Sequence, residues 1–389
     1  MKNHDRSKVV MVLQRSLKSE RMVINDMDAH FNAYKAPYEI LDHYVRQITS
    51  TQRISSIDIF INLDDILHTL HRPIVEKEFE LCGLKAKNQC TSNIINIIGH
   101  YKRWATKLHI PSRVWMIYTS SRSFKNGIYV QDYRHYYGQS MDTASPQFYL
   151  MNDAIRVSLP IAKNICEYVQ DVHMIDSGYL EPSAVACFLK NQGIANYQWS
   201  LYVSRDIYDL QYAYRDRWIF VSPKSENTWV VNRSKLWDYI CRREHIDPDT
   251  HNIAMYHHDV LPLALAVAGN KWRSIPRLGR IGWRTIFNYL DIITEHDSAS
   301  GAIFGNRLLE LLEKKKLPTD LIQNNLNVSS VETQARNFNA VDGSYLTSQL
   351  KYISDHEALT TINELYFQEF PINLTFLTAS TKVEGPFAF

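Results

Sequence analysis

The chain has 389 residues, with 43 Lys and Arg against 41 Asp and Glu and a net charge of +2. A balance this close to neutral excludes a polyanion-binding surface spread over the whole molecule and confines any such surface to a local patch. Hydrophobic residues make up 45% and aromatics 12%, which excludes disorder over most of the length and leaves ample chain for a buried core.

No apolar run reaches the ~20 residues of a membrane span. The basic start MKNHDRSK leads into a brief apolar VVMVL that charges soon close, too short for a secretory leader. The expectation is a protein that is not secreted, works in the cytoplasm of a cell and has no membrane partner. Cys82, Cys90, Cys166, Cys187 and Cys241 are odd in number and lack a CxxC pair. They are expected to be buried free thiols rather than disulfides or a zinc site.

Residues 1–55 are polar with helical spacing and form an N-terminal extension. IDIFIN (57–62) is a strand. LDDILHTLHRP follows and starts as a helix, with Asp64 and Asp65 as first-turn acids that favour its dipole. A helix around 92–108 leads to the strand RVWMIY (113–118). The stretch 119–150 is rich in tyrosine and polar residues. A helix over about 147–168 precedes the strand DVHMID (171–176), and a helix over 182–191 precedes WSLYVS (199–204). RWIFVS (217–222), a turn at PKSEN, TWVV (228–231) and a helix over 233–243 complete this part. Strands alternating with helices predict an α/β fold with a mostly parallel central sheet flanked by helices. Ligands of such sheets bind beyond the carboxyl ends of the strands. The residues placed there are Asn62, Asp64 and Asp65; Tyr118; Ser177 to Glu181; and Arg205 to Asp209.

GNKWRSIPRLGRIGWR (269–284) joins the apolar helix 260–268 to a helical run beginning near Thr285. Pro276 cannot continue a helix, and Gly279 and Gly282 suit two tight turns. Turns of this kind aim successive N–H groups outward, where an anion fits. Lys271, Arg273, Arg277, Arg280 and Arg284 lie here with no acidic residue among them. The plainer alternative is a solvated basic loop between two helices. Beyond it, 306–316 is predicted helical with lysines in its last turn, 324–345 is predicted to be a long loop, and 366–389 is expected to pack across the body. His245, His251, His257, His258 and Asp259 match no zinc spacing and are taken as loop residues. No G-x-S-x-G, Walker loop or strand-following G-x-G-x-x-G is present.

Several of these segments together resemble the flap endonuclease and 5′–3′ exonuclease family, a PIN-like nuclease fold, from about 57 to 295. VSRDIYDLQ (203–211) resembles that family's Val-Ser-Gly-Asp-x-Asp-Leu-x-Gln. GNKWRSIPRLGRIGWRTI resembles its helix–three-turn–helix, and GIYVQDYRHYY (127–137) falls at its basic, tyrosine-bearing helical arch. The resemblance implies cleavage of phosphodiesters by two divalent metals held in a carboxylate cluster, because Mg2+ or Mn2+ beside a phosphate needs several charged oxygens. At the matching positions Asn62 replaces the first-strand aspartate, and the second-strand position falls at or near Tyr118. Glu181 survives but is followed by Ser183 and Ala184 where aspartates are expected. Asp206 survives, Tyr208 replaces the next aspartate, and Asn270 and Arg273 replace two more. Asp64, Asp65 and Asp209 lie one to three residues from lost positions, but a one-residue shift turns a strand side chain to the other face. Asp209 is therefore expected at the surface or as a cap.

The expectation is a catalytically degenerate relative with no metal or other cofactor, Mg2+ or Mn2+ entering only if nuclease activity survives. It would be a non-catalytic adaptor that docks protein partners. The resemblance further implies origin in a large bacteriophage, and a narrower reading is selective protein import into the nucleus-like compartment that such phages build. A non-cleaving DNA- or RNA-binding protein is the second reading, and a residual metal-dependent 5′ nuclease the third. Partner- or nucleic-acid-binding candidates are the five cations of 269–284 together with Tyr133, Arg134, Tyr136 and Tyr137, whose rings and charges suit either stacked bases or a protein hot spot. The predicted organisation is an N-terminal extension (1–55), a nuclease-like α/β domain (56–232) with an arch-like region (119–150), a helix–three-turn–helix subdomain (233–300) and a C-terminal extension (301–389).

Overall fold

Six strands form one sheet among the residues that the computed structural model describes, which are 38–49, 54–63, 79–119, 158–178, 180–223, 229–269, 275–296, 301–355 and 357. They are β1 (Ile57–Asn62), β2 (Ser112–Tyr118), β3 (Val172–Asp176), β4 (Trp199–Val203), β5 (Trp218–Ser222) and β6 (Trp229–Val231). Their order is β3-β2-β1-β4-β5-β6, and every neighbouring pair is parallel except β5 with β6. The sequence pattern predicts this architecture because strands buried on both faces need near-continuous apolar runs.

Alternation along each strand feeds two separate cores. Ile57, Ile59 and Ile61 of β1, Val114 and Met116 of β2, and Leu201 and Val203 of β4 face the first core. There they meet α1 (Tyr38–Thr49), α2 (Phe79–Lys107) and a helix over 158–167, α3, through Leu41, Ile95, Trp104 and Ile165. The other face carries a row of rings across the sheet. His173 stacks on Trp115 at 4.5 Å, Trp115 lies 6.1 Å from Phe60, Phe60 6.4 Å from Tyr202, and Tyr202 6.4 Å from Phe220.

Against that second face pack α4 (Pro182–Asn191), α5 (Leu236–Arg243), α6 (Leu261–Ala268), α7 (Trp283–His296) and α8 (Gly301–Glu313). The same core continues through α9 (Thr319–Ser329), α10 (Val331–Arg336) and α11 (Ala340–Thr347), by way of Ile322, Val331, Ala335 and Leu346. The predicted loop over 324–345 is thus corrected to helix. Its Asn and Ser residues are weak helix formers, but here they act as caps and buried donors. Ser330 and Asn339 cap α10 and α11, and Asn325 Nδ2 donates to the carbonyls of Ala266 (2.7 Å) and Pro276 (3.0 Å). Two further boundaries move. The helix predicted over 92–108 spans Phe79–Lys107, and the one over 306–316 spans Gly301–Glu313, leaving Lys314, Lys315 and Lys316 in a turn beyond its end. Cys166, Cys187 and Cys241 are buried free thiols.

Candidate functional site

β1 and β4 end side by side, and the chain leaving β4 winds at once into a short 3-10 helix (Ile207–Tyr212). Asp206 caps it, accepting the Tyr208 N–H at 3.0 Å, while its own N–H is bonded to Ser204 Oγ at 3.0 Å. The winding turns Asp209 inward, where it is fully buried and receives Asn62 Nδ2 at 3.0 Å. The expectation that Asp209 lies at the surface or caps is therefore corrected: Asp206 is the cap, and Asp209 is a buried carboxylate. Asn62 Oδ1 is buried without a partner among the described residues. Tyr208, where the family resemblance implies an aspartate, is buried and donates its hydroxyl to the Leu265 carbonyl of α6 at 2.9 Å. Its phenol therefore pins the following subdomain to the sheet end.

The register places Asn62 beside Ile117, so Tyr118 points to the opposite face and lies in the first core. Burial, with Asp176 nearby, raises its hydroxyl pKa far above the ordinary value. Thr119, one residue on, exchanges a hydrogen bond with Ser177 at 2.9 Å at the ends of β2 and β3. Asp176 closes β3. Its carboxylate accepts the Gly178 N–H at 2.9 Å, and its backbone pairs twice, at 2.9 Å each, with the side-chain amide of Gln349. Lys163 reaches the same amide oxygen at 2.7 Å. Tyr345 lies against Gly178 and hydrogen-bonds Asp176; burial and that carboxylate push its hydroxyl up to about 12. Glu181 stands at the start of α4, where its carbonyl accepts the Val185 N–H at 3.1 Å while its side chain does not cap the helix. Ser183 and Ala184 are buried inside that helix, and the Ser183 carbonyl accepts the Tyr212 hydroxyl.

In the basic turn, Gly269 ends α6 at φ 68°, and a Cβ there would stand 2.5 Å from the Arg277 nitrogen. The Leu278 N–H returns to the Val267 carbonyl at 3.0 Å, closing the turn on the helix. Arg277, Arg280 and Arg284 are exposed, and Arg277 Nε donates to the Ala268 carbonyl at 3.3 Å. Asn270, Lys271 and Arg273, like Tyr133, Arg134, Tyr136, Tyr137, Asp64 and Asp65, lie outside the described residues. Of the histidine group, His251 Nδ1 meets Asp291 at 2.7 Å, and His257 Nδ1 accepts the Asp259 N–H at 3.3 Å.

A two-metal centre would need several carboxylates converging on one point. The described residues Asn62, Asp206 and Asp209 do not converge in that way. Asn62 is uncharged and spends its amide on Asp209, Asp209 is buried against it, and Asp206 holds a backbone N–H. Among the described residues no three of His, Cys, Asp and Glu are placed to hold an ion.

Sequence reasoning missed one charged cluster and the position of another. Asp58, fully buried in β1, accepts Trp115 Nε1 (2.9 Å), the Tyr197 N–H (2.9 Å), Arg113 Nε (3.1 Å) and Lys190 Nζ (3.4 Å). Its partners come from separate elements, so only the isolated acid within an apolar strand signals it. The second is Lys314 to Lys316. Leu317 lies over Gly279, where an added Cβ would be 2.4 Å from its Cδ2, bringing the lysine run to the arginine turn.

No protein-family model matches the sequence, and no curated protein matches it. Among solved structures, the chain is similar to the zinc-bound 5′-exonuclease of phage T5, at 13% identity and a TM-score of 0.48, covering 76% of this chain and 98% of that one. It is also similar to a pseudo-enzyme–product complex of the bacteriophage T5 flap endonuclease with DNA and metal ions, at 12% identity and a TM-score of 0.46, covering 80% and 99%. A likeness at this level concerns the course of the chain and carries no activity with it.

Proposed function

We propose that this chain is a non-catalytic binding protein, an adaptor that docks protein partners on a flap-endonuclease-like α/β body. The observation that carries the reading is the Asn62–Asp209 pair. Where a nuclease would open its metal cluster to a phosphate, this chain places a neutral amide and a buried carboxylate bonded to each other. The residues around them serve packing: Asp206 caps a turn, and Tyr208 ties α6 to the sheet. What stays available to a partner is surface, including the exposed arginines of the 275–284 turn. A narrower form of the proposal, resting on the family resemblance of the motifs, is selective protein import into the nucleus-like compartment of a large bacteriophage.

Crosslinking in the native cell tests the adaptor reading. A defined protein should be captured in near-equal amount, and that protein should lose its normal location when this chain is removed. Recovery of no protein partner would sink the reading.

The exposed Arg277, Arg280 and Arg284 favour a second reading, binding of DNA or RNA without cleavage. Affinity would then fall steeply with salt, and alanine at the three positions would flatten that slope. Absence of binding at low salt rules this out.

A further inference from the structure

α7 and α8 are separated by only four residues, 297–300, and pack on each other through the second core. The contact of Leu317 with Gly279 shows that the end of α8 comes back to the start of α7. The pair is therefore an antiparallel hairpin with two chemically different ends. One end gathers Arg280 and Arg284 with Lys314, Lys315 and Lys316, all exposed. None of these five makes an ion pair or side-chain hydrogen bond among the described residues. Arg277, beside them, is near Glu244, and Glu313 and Asp320 flank the lysines in sequence.

The other end exposes two large apolar side chains, Ile292 (43%) on α7 and Ile303 (45%) on α8. Along α7, Arg284, Asn288 and Ile292 are all exposed at four-residue spacing, so a cation and an isoleucine share one helix face. Arg280 and Lys316 hold left-handed backbone, at φ 62° and 55°. Glycine or asparagine suits that conformation better than a long side chain, yet both positions carry cations.

We infer that the α7–α8 hairpin is a docking surface for a protein segment with acidic residues at one end and large apolar residues at the other. This rests on the adaptor reading and deepens it by naming the partner's chemistry. A phosphate backbone would answer the cations but leave the two isoleucines in water. A segment that is both acidic and apolar covers both.

The test uses the full chain and a labelled synthetic peptide with glutamates at one end and leucines at the other. A polyglutamate peptide and single- and double-stranded oligonucleotides of matched charge serve as comparisons. The mixed peptide should bind tightest. Arg280→Asn with Lys316→Asn should weaken it about three- to tenfold at low salt, without lowering the melting temperature, because asparagine fits both turns. Ile292→Ser with Ile303→Ser should weaken it by about the same factor and leave polyglutamate binding unchanged. An oligonucleotide bound as tightly as the peptide, or peptide binding indifferent to either pair of substitutions, would overturn the inference. Partner capture in cells unchanged by the asparagine pair would also overturn it, yet leave the adaptor reading standing. Failure of the unaltered chain to capture any protein would remove both.

Discussion

At the scale of single residues, the central position is Asn62. Its amide is a donor that a buried Asp209 can use, and an aspartate in its place would set two carboxylates in contact in the core. Asn62→Asp is therefore expected to cost about 2–4 kcal/mol of stability rather than to restore a site, measured by chemical denaturation at neutral pH. An unchanged midpoint would mean that the pocket already accommodates a second charge. His173 supplies a separate residue-scale prediction. Burial, with Arg113 and Lys102 nearby, pushes its imidazole down to about 4. The unfolded chain takes up that proton near pH 6.5 and the folded chain does not, so stability is full above that pH and falls as pH drops from about 6.5 towards 4, by about 2–3 kcal/mol. His258, also lowered by burial and by Arg233, acts in the same direction. His173→Phe keeps the stack on Trp115 and should remove most of that slope in a stability–pH profile.

At the scale of elements, the turn after α6 is held by backbone geometry. Gly269→Ala would put a Cβ on the Arg277 backbone at a positive φ, and is expected to cost about 2–4 kcal/mol. Gly279→Ala is strained by the same kind of backbone, at φ 55°, but its Cβ meets the flexible end of Leu317 rather than backbone, so it should cost less; thermal melts of the two variants decide the order. This is also where sequence and structure part most clearly. The predicted strands agree with those observed to within a residue or so, because apolar runs buried on both faces have one reading. The helices over 319–347 were not legible, since Asn325 gains its role from the Ala266 and Pro276 carbonyls, far away in sequence, and Ser330 reads as a turn former until its hydroxyl caps the next helix. Gln211, for example, bonds the Ser329 carbonyl at 2.7 Å and receives the Val331 N–H at 3.3 Å. Asn62 and Tyr208 could be picked out in the sequence as residues at the strand ends. The geometry of the candidate site was not legible, because Asp209 counts as exposed until the 3-10 turn folds it beneath Asn62.

At the scale of the whole molecule, the sheet's carboxyl end is walled by segments from later in the chain. Tyr345 and Gln349 close over Asp176, Tyr208 reaches α6, and Asn325 bridges α6 and the basic turn. The C-terminal helices share the second core with the sheet, so they are part of the same body and not an appendage. A body closed in this way presents helix surfaces and turns to its surroundings. On the adaptor reading proposed above, these are the surfaces a partner would meet. The most direct measurement is incubation of the full chain with 5′-flap and 5′-ended DNA in Mg2+ or Mn2+. A non-catalytic body should give no cleavage at any protein concentration at which the chain stays folded; metal-dependent cleavage that is abolished by Asp206→Ala or Glu181→Ala would contradict that reading.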